Sequence, residues 1–165
     1  LKILLTSFLF VFSATVSAEG EWYVGATSGY YDLGKSDHWA GDVALGQVGF
    51  QAGRYFNDDV SIELGYSDNF SSEAFSIMSL ATLFWLGDYS SVYRPYFLIG
   101  YNSYDADQPS FNPPNYSANQ VMIGGGVGTD MGANFQLRVE GRYMVRKSVN
   151  EDDLAIQFSI NRFFD

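Results

Sequence analysis

The feature that most constrains this chain is a regular alternation of apolar residues with polar or glycine residues, repeated in eight separate segments. Alternation with a period of two is typical of β-strands that have one apolar and one polar face. The predicted strands are Trp22–Tyr31, Leu45–Phe56, Val60–Ser67, Phe75–Leu86, Val92–Tyr104, Asn119–Thr129, Asn134–Val145 and Asp153–Phe164. Most of them reach the length of about 9–11 residues that a tilted strand needs to cross a lipid bilayer.

The connections between the predicted strands alternate in length. Three are short, namely Asn57–Asp59, Gly87–Ser91 and Asp130–Ala133. Four are longer and more polar, namely Tyr31–Ala44, Asp68–Ala74, Asp105–Ala118 and Arg146–Asp152. Bacterial outer-membrane barrels have short periplasmic turns and long outer loops. With an even number of strands, this pattern predicts that both termini lie in the periplasm.

Residues 1–18 have the pattern of a secretory signal peptide. Lys2 supplies the positive start, a mostly apolar stretch runs from Ile3 to Val11, and Val16–Ala18 resembles a small-residue cleavage site. We therefore predict a signal peptide over residues 1–18 and a single barrel domain over residues 19–165.

Composition and missing motifs exclude several classes of protein. The formal net charge of −10 argues against nucleic acid as a partner, because phosphate binding needs a basic surface. The chain contains no Cys, so it has no disulfide framework. It also lacks zinc, Walker and dinucleotide motifs, and we expect neither a metal nor a cofactor.

The alternation alone does not decide which face is inside, because a soluble lipocalin-like carrier would show the same period with its apolar face inward. Glycines lie mainly on the polar face, which suits the narrow interior of an eight-stranded barrel. Aromatic residues gather at strand ends, as in the two girdles of a membrane barrel. The predicted girdle consists of Trp22, Tyr30, Tyr55, Tyr66, Trp85, Tyr101, Tyr143 and Phe164.

We therefore expect the apolar face to meet lipid. The sequence does not decide which face of the fourth strand points outward, because its two faces are equally apolar. One face carries Met78, Leu80 and Phe84, and the other carries Ile77, Leu83 and Trp85.

With this orientation, five charged side chains point into the lumen. They are Glu63, Arg94, Arg138, Glu140 and Arg142. An Arg facing lipid at the bilayer centre would cost about 2–4 kcal/mol. In the lumen, guanidinium groups can pair with carboxylates. We expect a salt-bridged network that closes the lumen, with a narrow gated pore or a catalytic carboxylate pair as alternatives.

Several segments resemble a known family. The segment WYVGATSGYY is similar to the first strand of the transmembrane domain of OmpA, and VGFQAGRYFNDDVSIELGYSD resembles the second hairpin of that domain, with an inward Glu at Glu63. The segment LRVEGRY looks like the strand that carries the other inward Glu, here Glu140. The resemblance implies an eight-stranded barrel of the small outer-membrane family, with salt bridges between luminal Glu and Arg side chains.

The same resemblance implies an assembly partner. The segment RPYFLIGY is typical of the wider family, whose members usually end on an aromatic residue that the barrel-assembly machinery reads in the C-terminal strand. Here Asp165 follows Phe164, so the expected signal is displaced by one residue.

The sequence thus predicts an all-β, eight-stranded, antiparallel, up-and-down transmembrane barrel in a Gram-negative outer membrane, surrounded by lipid and lipopolysaccharide. We expect a structural or surface-interaction role, with loops that support membrane integrity, adhesion or binding of unidentified ligands. A lipid A-modifying enzyme would need His38 beside Ser71 or Ser72 and Asp68. No local motif supports such a site, and we expect no enzymatic activity.

Overall fold

The computed structural model describes residues 21–33, 43–69, 74–88, 91–107, 115–132, 134–146 and 152–164. Within these residues the strands are β1 Trp22–Leu33, β2 Val43–Asn57, β3 Val60–Asn69, β4 Ala74–Trp85, β5 Tyr93–Asp107, β6 Asn115–Asp130, β7 Phe135–Arg146 and β8 Asp152–Phe164. Each strand pairs antiparallel with its neighbours in sequence, and β8 pairs with β1, so the sheet closes into an up-and-down barrel. The predicted fold class is confirmed. The described residues contain no helix long and apolar enough to cross a membrane.

Several residues named from the sequence, including Asp165 of the assembly signal, lie outside the described part of the chain. The signal peptide over residues 1–18 lies outside the described residues, as do His38 and the Ser71 and Ser72 pair. The boundary between signal peptide and barrel domain therefore stays a prediction.

The third long connection is shorter than predicted. β5 continues to Asp107 and β6 begins at Asn115, so Asp105–Asp107 pairs with Asn115–Ser117. The polar composition of this segment indicated a loop. Ladder hydrogen bonds join backbone groups, however, and can continue through a polar sequence beyond the apolar band.

Short turns close one end of the barrel, and we call it the turn side. Gly87 and Gly132 adopt φ values of 82° and 71°, and Asn134 adopts 67°. Such left-handed conformations favour Gly and Asn. In the β2–β3 turn, the Asn57 side-chain oxygen accepts a hydrogen bond from the Asp59 amide at 2.9 Å. We call the opposite end the loop side.

The apolar face of the sheet points outward, as predicted. Phe50 is 63% exposed, whereas its neighbour Gln51 is buried. In β4, Leu80 is 52% exposed, while Leu83 and Trp85 are buried. The phase that the sequence left open is therefore the one with Met78, Leu80 and Phe84 outside and Ile77, Leu83 and Trp85 inside.

Inward glycines make room for rings in the lumen. A Cβ on Gly53 would collide with the ring of Tyr23, and a Cβ on Gly128 would lie 3.0 Å from the Trp85 ring. Because side chains just fill the interior of an eight-stranded barrel, larger residues at these positions would displace the rings.

Candidate functional site

Charged and phenolic side chains from β1, β3, β5 and β7 lie together in one layer of the lumen. Arg138 on β7 forms an ion pair with Glu63 on β3. These strands are four apart in a ring of eight, so the pair crosses the lumen. Tyr23 on β1 donates a hydrogen bond to Glu63 Oε2 at 2.9 Å, and Tyr96 on β5 donates one to Glu140.

Arg142 joins the two carboxylates of this layer. Its Nε donates to Glu140 Oε1 at 2.5 Å, and its Nη2 lies 3.6 Å from Glu63 Oε1. All four charged groups are buried, and buried charges are tolerated when they pair and form hydrogen bonds. Two guanidinium groups balance two carboxylates here. We call this set the ion-pair layer, which consists of Tyr23, Glu63, Tyr96, Arg138, Glu140 and Arg142.

Arg138 has the most enclosed guanidinium of the layer. Its Cζ lies 5.5 Å from the ring centroid of Tyr23 and 5.7 Å from that of Tyr96, so it contacts rings from β1 and β5. Its Nε donates to Ser159 Oγ at 3.3 Å. Cation–π contacts add to the stability of a desolvated guanidinium.

Arg94 was also predicted as a member of this network, and two of its contacts lie toward the turns. Its Nη2 donates to the carbonyl oxygen of Asp58 at 2.5 Å, and its Cζ lies 5.2 Å from the Trp85 ring centroid. The alternation correctly indicated that Arg94 is inward and buried. Alternation does not give the depth of a side chain along the lumen, and this depth determines which groups the side chain can contact.

Five rings fill the turn-side end of the lumen, and we call them the aromatic layer. They are Tyr23, Tyr55, Trp85, Tyr96 and Phe163. Their centroids are separated by 5.8 Å for Tyr23–Tyr55, 5.5 Å for Tyr55–Trp85, 4.6 Å for Trp85–Tyr96 and 5.6 Å for Tyr23–Phe163. Trp85 Nε1 also donates to Ser61 Oγ at 3.0 Å, which satisfies the buried indole.

Two members of the aromatic layer correct the predicted girdle. Tyr55 is 5% exposed and Trp85 is 3% exposed, so both belong to the interior and not to the outer surface. Their position at strand ends suggested the girdle, but their phase matches inward Gly53 and Leu83. The other six predicted girdle residues lie on the outward phase, and their role at the membrane interface stays a prediction. They are Trp22, Tyr30, Tyr66, Tyr101, Tyr143 and Phe164.

The amide side chains of Gln47, Gln51, Asn102 and Gln157 line the lumen toward the loop side of the ion-pair layer. Gln51 donates to Asn161 at 2.7 Å, and Gln157 donates to Gln51 at 3.2 Å. Asn102 donates to the Tyr31 hydroxyl at 3.1 Å. These amides were not among the predicted site residues, although the alternation places all of them on the inward face.

A small polar cavity of about 20 Å³ lies among these amides, large enough for about one water molecule. Its lining includes Thr27, Gln47, Gln51, Ser79, Asn102 and Arg142. Gln47 Nε2 and Asn102 Oδ1 are buried and have no protein hydrogen-bond partner. A bound water would satisfy such a donor and acceptor.

The described residues offer little for metal or hydrolytic chemistry. Within them, no group of three or more His, Cys, Asp or Glu side chains could hold a metal ion. Of the residues that a lipid A-modifying site would need, Asp68 is the one in the described part of the chain. It accepts a hydrogen bond from the Tyr66 hydroxyl at 3.2 Å on the outward phase.

A closed antiparallel barrel with apolar side chains outside and paired charges inside defines a membrane barrel. The chain matches the family described as "Outer membrane protein beta-barrel domain" over residues 3–161, and it belongs to this family. The predicted family and the outer-membrane location are thereby confirmed.

Solved structures show the same fold. The N-terminal β-barrel domain of Pseudomonas aeruginosa OprF aligns with a TM-score of 0.67 at 17% identity, covering 87% of this chain and 99% of that chain. Neisserial surface protein A aligns with a TM-score of 0.64 at 19% identity, covering 88% and 100%. Yersinia pestis Ail in complex with the heparin analogue sucrose octasulfate aligns with a TM-score of 0.60 at 16% identity, covering 88% and 99%. A comparison with curated protein sequences gave no match.

Proposed function

We propose that the protein is a closed barrel that contributes to membrane integrity and presents its loop-side segments at the cell surface. The observation that supports this proposal is the filled lumen. The ion-pair layer joins β3 to β7 across the lumen, and the aromatic layer, which shares Tyr23 and Tyr96 with it, fills the space beside it. A filled interior favours functions carried by the outer wall and the loops over transport.

The comparison with Ail supports a surface interaction without supporting the same ligand. That protein was solved with a sulfated heparin analogue. The present chain carries a formal net charge of −10, which disfavours a polyanionic glycan. A neutral or cationic surface partner fits this charge better.

For the orientation, we propose that the turns and both termini lie in the periplasm and the loop side faces outward. The chain contains no Cys, so a single introduced thiol can be labelled uniquely. A membrane-impermeant maleimide should label Asp105→Cys on the loop side of intact cells. It should label Asp88→Cys on the turn side only after the outer membrane is permeabilised. The reverse pattern would contradict this orientation.

Conductance in planar bilayers tests the closed lumen, and we expect no steady current from the wild-type barrel. A narrow gated pore is the second candidate, because the ion-pair layer adjoins a polar cavity on the same axis. A steady current that changes in Glu63→Gln or Arg138→Gln would favour the pore. Asp88→Asn, which removes an exposed charge in a turn, serves as the matched control.

We also propose that the barrel does not modify lipid A. Mass spectra of lipid A from cells carrying wild-type protein or His38→Ala should be identical. A modification that is present with the wild type and lost in the variant would contradict this proposal.

A further inference from the structure

Arg162 is the one exposed Arg among the side chains that the structure describes. It lies on the outward phase of β8, two residues before the strand ends at Phe164 on the turn side. In the ladder it pairs with Phe135 on β7 and with Val24 on β1. Its guanidinium therefore stands on the outer wall, at the level of the last apolar side chains.

Two aromatic rings contact the guanidinium group of Arg162. Arg162 Cζ lies 5.3 Å from the ring centroid of Phe164 and 5.9 Å from that of Phe135. Contact with ring faces restrains the side chain and leaves the N–H groups at the guanidinium edge able to donate. Arg54, on β2, lies 5.0 Å from the Trp22 ring centroid at the same end of the barrel, but it is buried.

Among the outward strand positions that the structure describes, the sign of the charge differs between the two ends of the wall. On the loop side, the outward positions of β1, β3 and β5 carry the carboxylates of Asp32, Asp68 and Asp105. On the turn side, the outward positions of β2 and β8 carry Arg54 and Arg162. A phosphate group beside β8 on the turn side therefore meets the Arg162 guanidinium, because Arg54 is buried and the exposed carboxylates of Asp58, Asp59 and Asp88 lie in the turns and not on the wall.

The chemistry of this position fits a phospholipid headgroup. Aromatic side chains of membrane proteins sit at the headgroup level, and a long Arg side chain reaches from the apolar band to the phosphates. A guanidinium also offers two parallel N–H donors to the oxygens of one phosphate. We propose that Arg162, Phe135 and Phe164 bind the phosphate of a phospholipid in the periplasmic leaflet, where the choice of leaflet rests on the proposed orientation.

Native mass spectrometry of the folded full chain, titrated with phosphatidylglycerol, tests this site. Arg162→Gln should lower the affinity for the first bound lipid about fivefold, the effect of one cation near an anionic surface. Arg162→Lys should lose less affinity, because lysine keeps the positive charge but lacks the two parallel N–H donors of the guanidinium group. Phe164→Leu should also weaken binding, because the guanidinium loses one of its two rings. Unchanged affinity in Arg162→Gln would overturn the proposal.

Controls separate this site from general effects on the barrel. Tyr93→Leu removes an exposed ring at the turn-side end of β5, on another part of the wall, and should bind phosphatidylglycerol like the wild type. Heat-modifiable migration in gels should show that every variant folds. If purified lipid A binds more tightly than phosphatidylglycerol and Arg162→Gln abolishes that binding, the phospholipid assignment is overturned. The lipid titration does not depend on the orientation of the barrel in the membrane. If thiol labelling showed the reverse orientation, the phosphate site would lie in the outer leaflet, and the proposal that Arg162 binds a phosphate would still hold.

Discussion

The two ends of the lumen are filled in different ways. On the turn side, rings pack with centroid separations of 4.6 to 5.9 Å, and the indole of Trp85 donates a hydrogen bond to Ser61. On the loop side, amides such as Gln51 and Asn102 surround a small polar cavity. The turn side is closed by packed rings, whereas the loop side combines polar groups and space for water with the buried side chains of Tyr31, Tyr104 and Met144.

This difference shows where the barrel can tolerate change. Packed rings cannot relax without leaving a void, so substitutions among them should be costly. Amides beside a cavity can rotate or bind water when a neighbour is altered. The ion-pair layer separates the two regions, and its buried charges depend on each other for compensation.

The largest effect is expected in the ion-pair layer. Glu63→Gln preserves shape but leaves Arg138 buried without its carboxylate, and this should lower the free energy of unfolding by about 3–5 kcal/mol. Urea unfolding in lipid vesicles measures this change. The double variant Glu63→Gln with Arg138→Met removes both charges and should recover part of the loss. A single variant as stable as the wild type would show that the ion pair is not needed for stability.

Removing a ring from the turn side should have the next largest effect. Trp85→Ala loses contacts with Tyr55 and Tyr96 and the hydrogen bond to Ser61, at a cost of about 3 kcal/mol in unfolding free energy. The matched control is Tyr93→Ala, because Tyr93 is 68% exposed on the outer wall and should cost much less. Equal losses in the two variants would mean that the turn-side rings are not tightly packed.

The alternation of the sequence predicted the strands, the outward apolar face and the inward charges, because these depend on local period alone. The girdle prediction was wrong for Tyr55 and Trp85, because it rested on their position at strand ends, and an aromatic residue there suits both a girdle and a filled lumen. The alternation gave Arg94 the same inward direction as Glu63, but it does not give the depth of a side chain along the axis, and Arg94 contacts Asp58 and Trp85 near the turns. Depth depends on how the strands are staggered when the barrel closes, which involves all eight strands.

Substitution of two inward glycines allows a more direct comparison of the turn side and the loop side of the lumen. Gly53 and Gly65 are inward residues on neighbouring strands, but a Cβ on Gly53 would meet the Tyr23 ring. A Cβ on Gly65 would lie 2.6 Å from the Ser79 hydroxyl oxygen, which can rotate toward the cavity. Gly53→Ala should lower the free energy of unfolding by about 1–3 kcal/mol and Gly65→Ala by less. The same urea experiment measures both, and a larger loss in Gly65→Ala would contradict the looser packing of the loop side.

The smallest effect is expected from a serine next to the cavity. The Ser67 hydroxyl donates to Gln47 Oε1 at 2.8 Å, and in Ser67→Ala this amide can turn to water, so the loss should be at most about 1 kcal/mol. Ser61→Ala on the same strand is the matched comparison, because it leaves the buried Trp85 N–H without its acceptor and should cost about 1–3 kcal/mol. If the free energy of unfolding falls equally in both variants, water does not replace the lost hydrogen bond of Gln47 on the loop side. The two ends of the lumen would then be equally inaccessible to water.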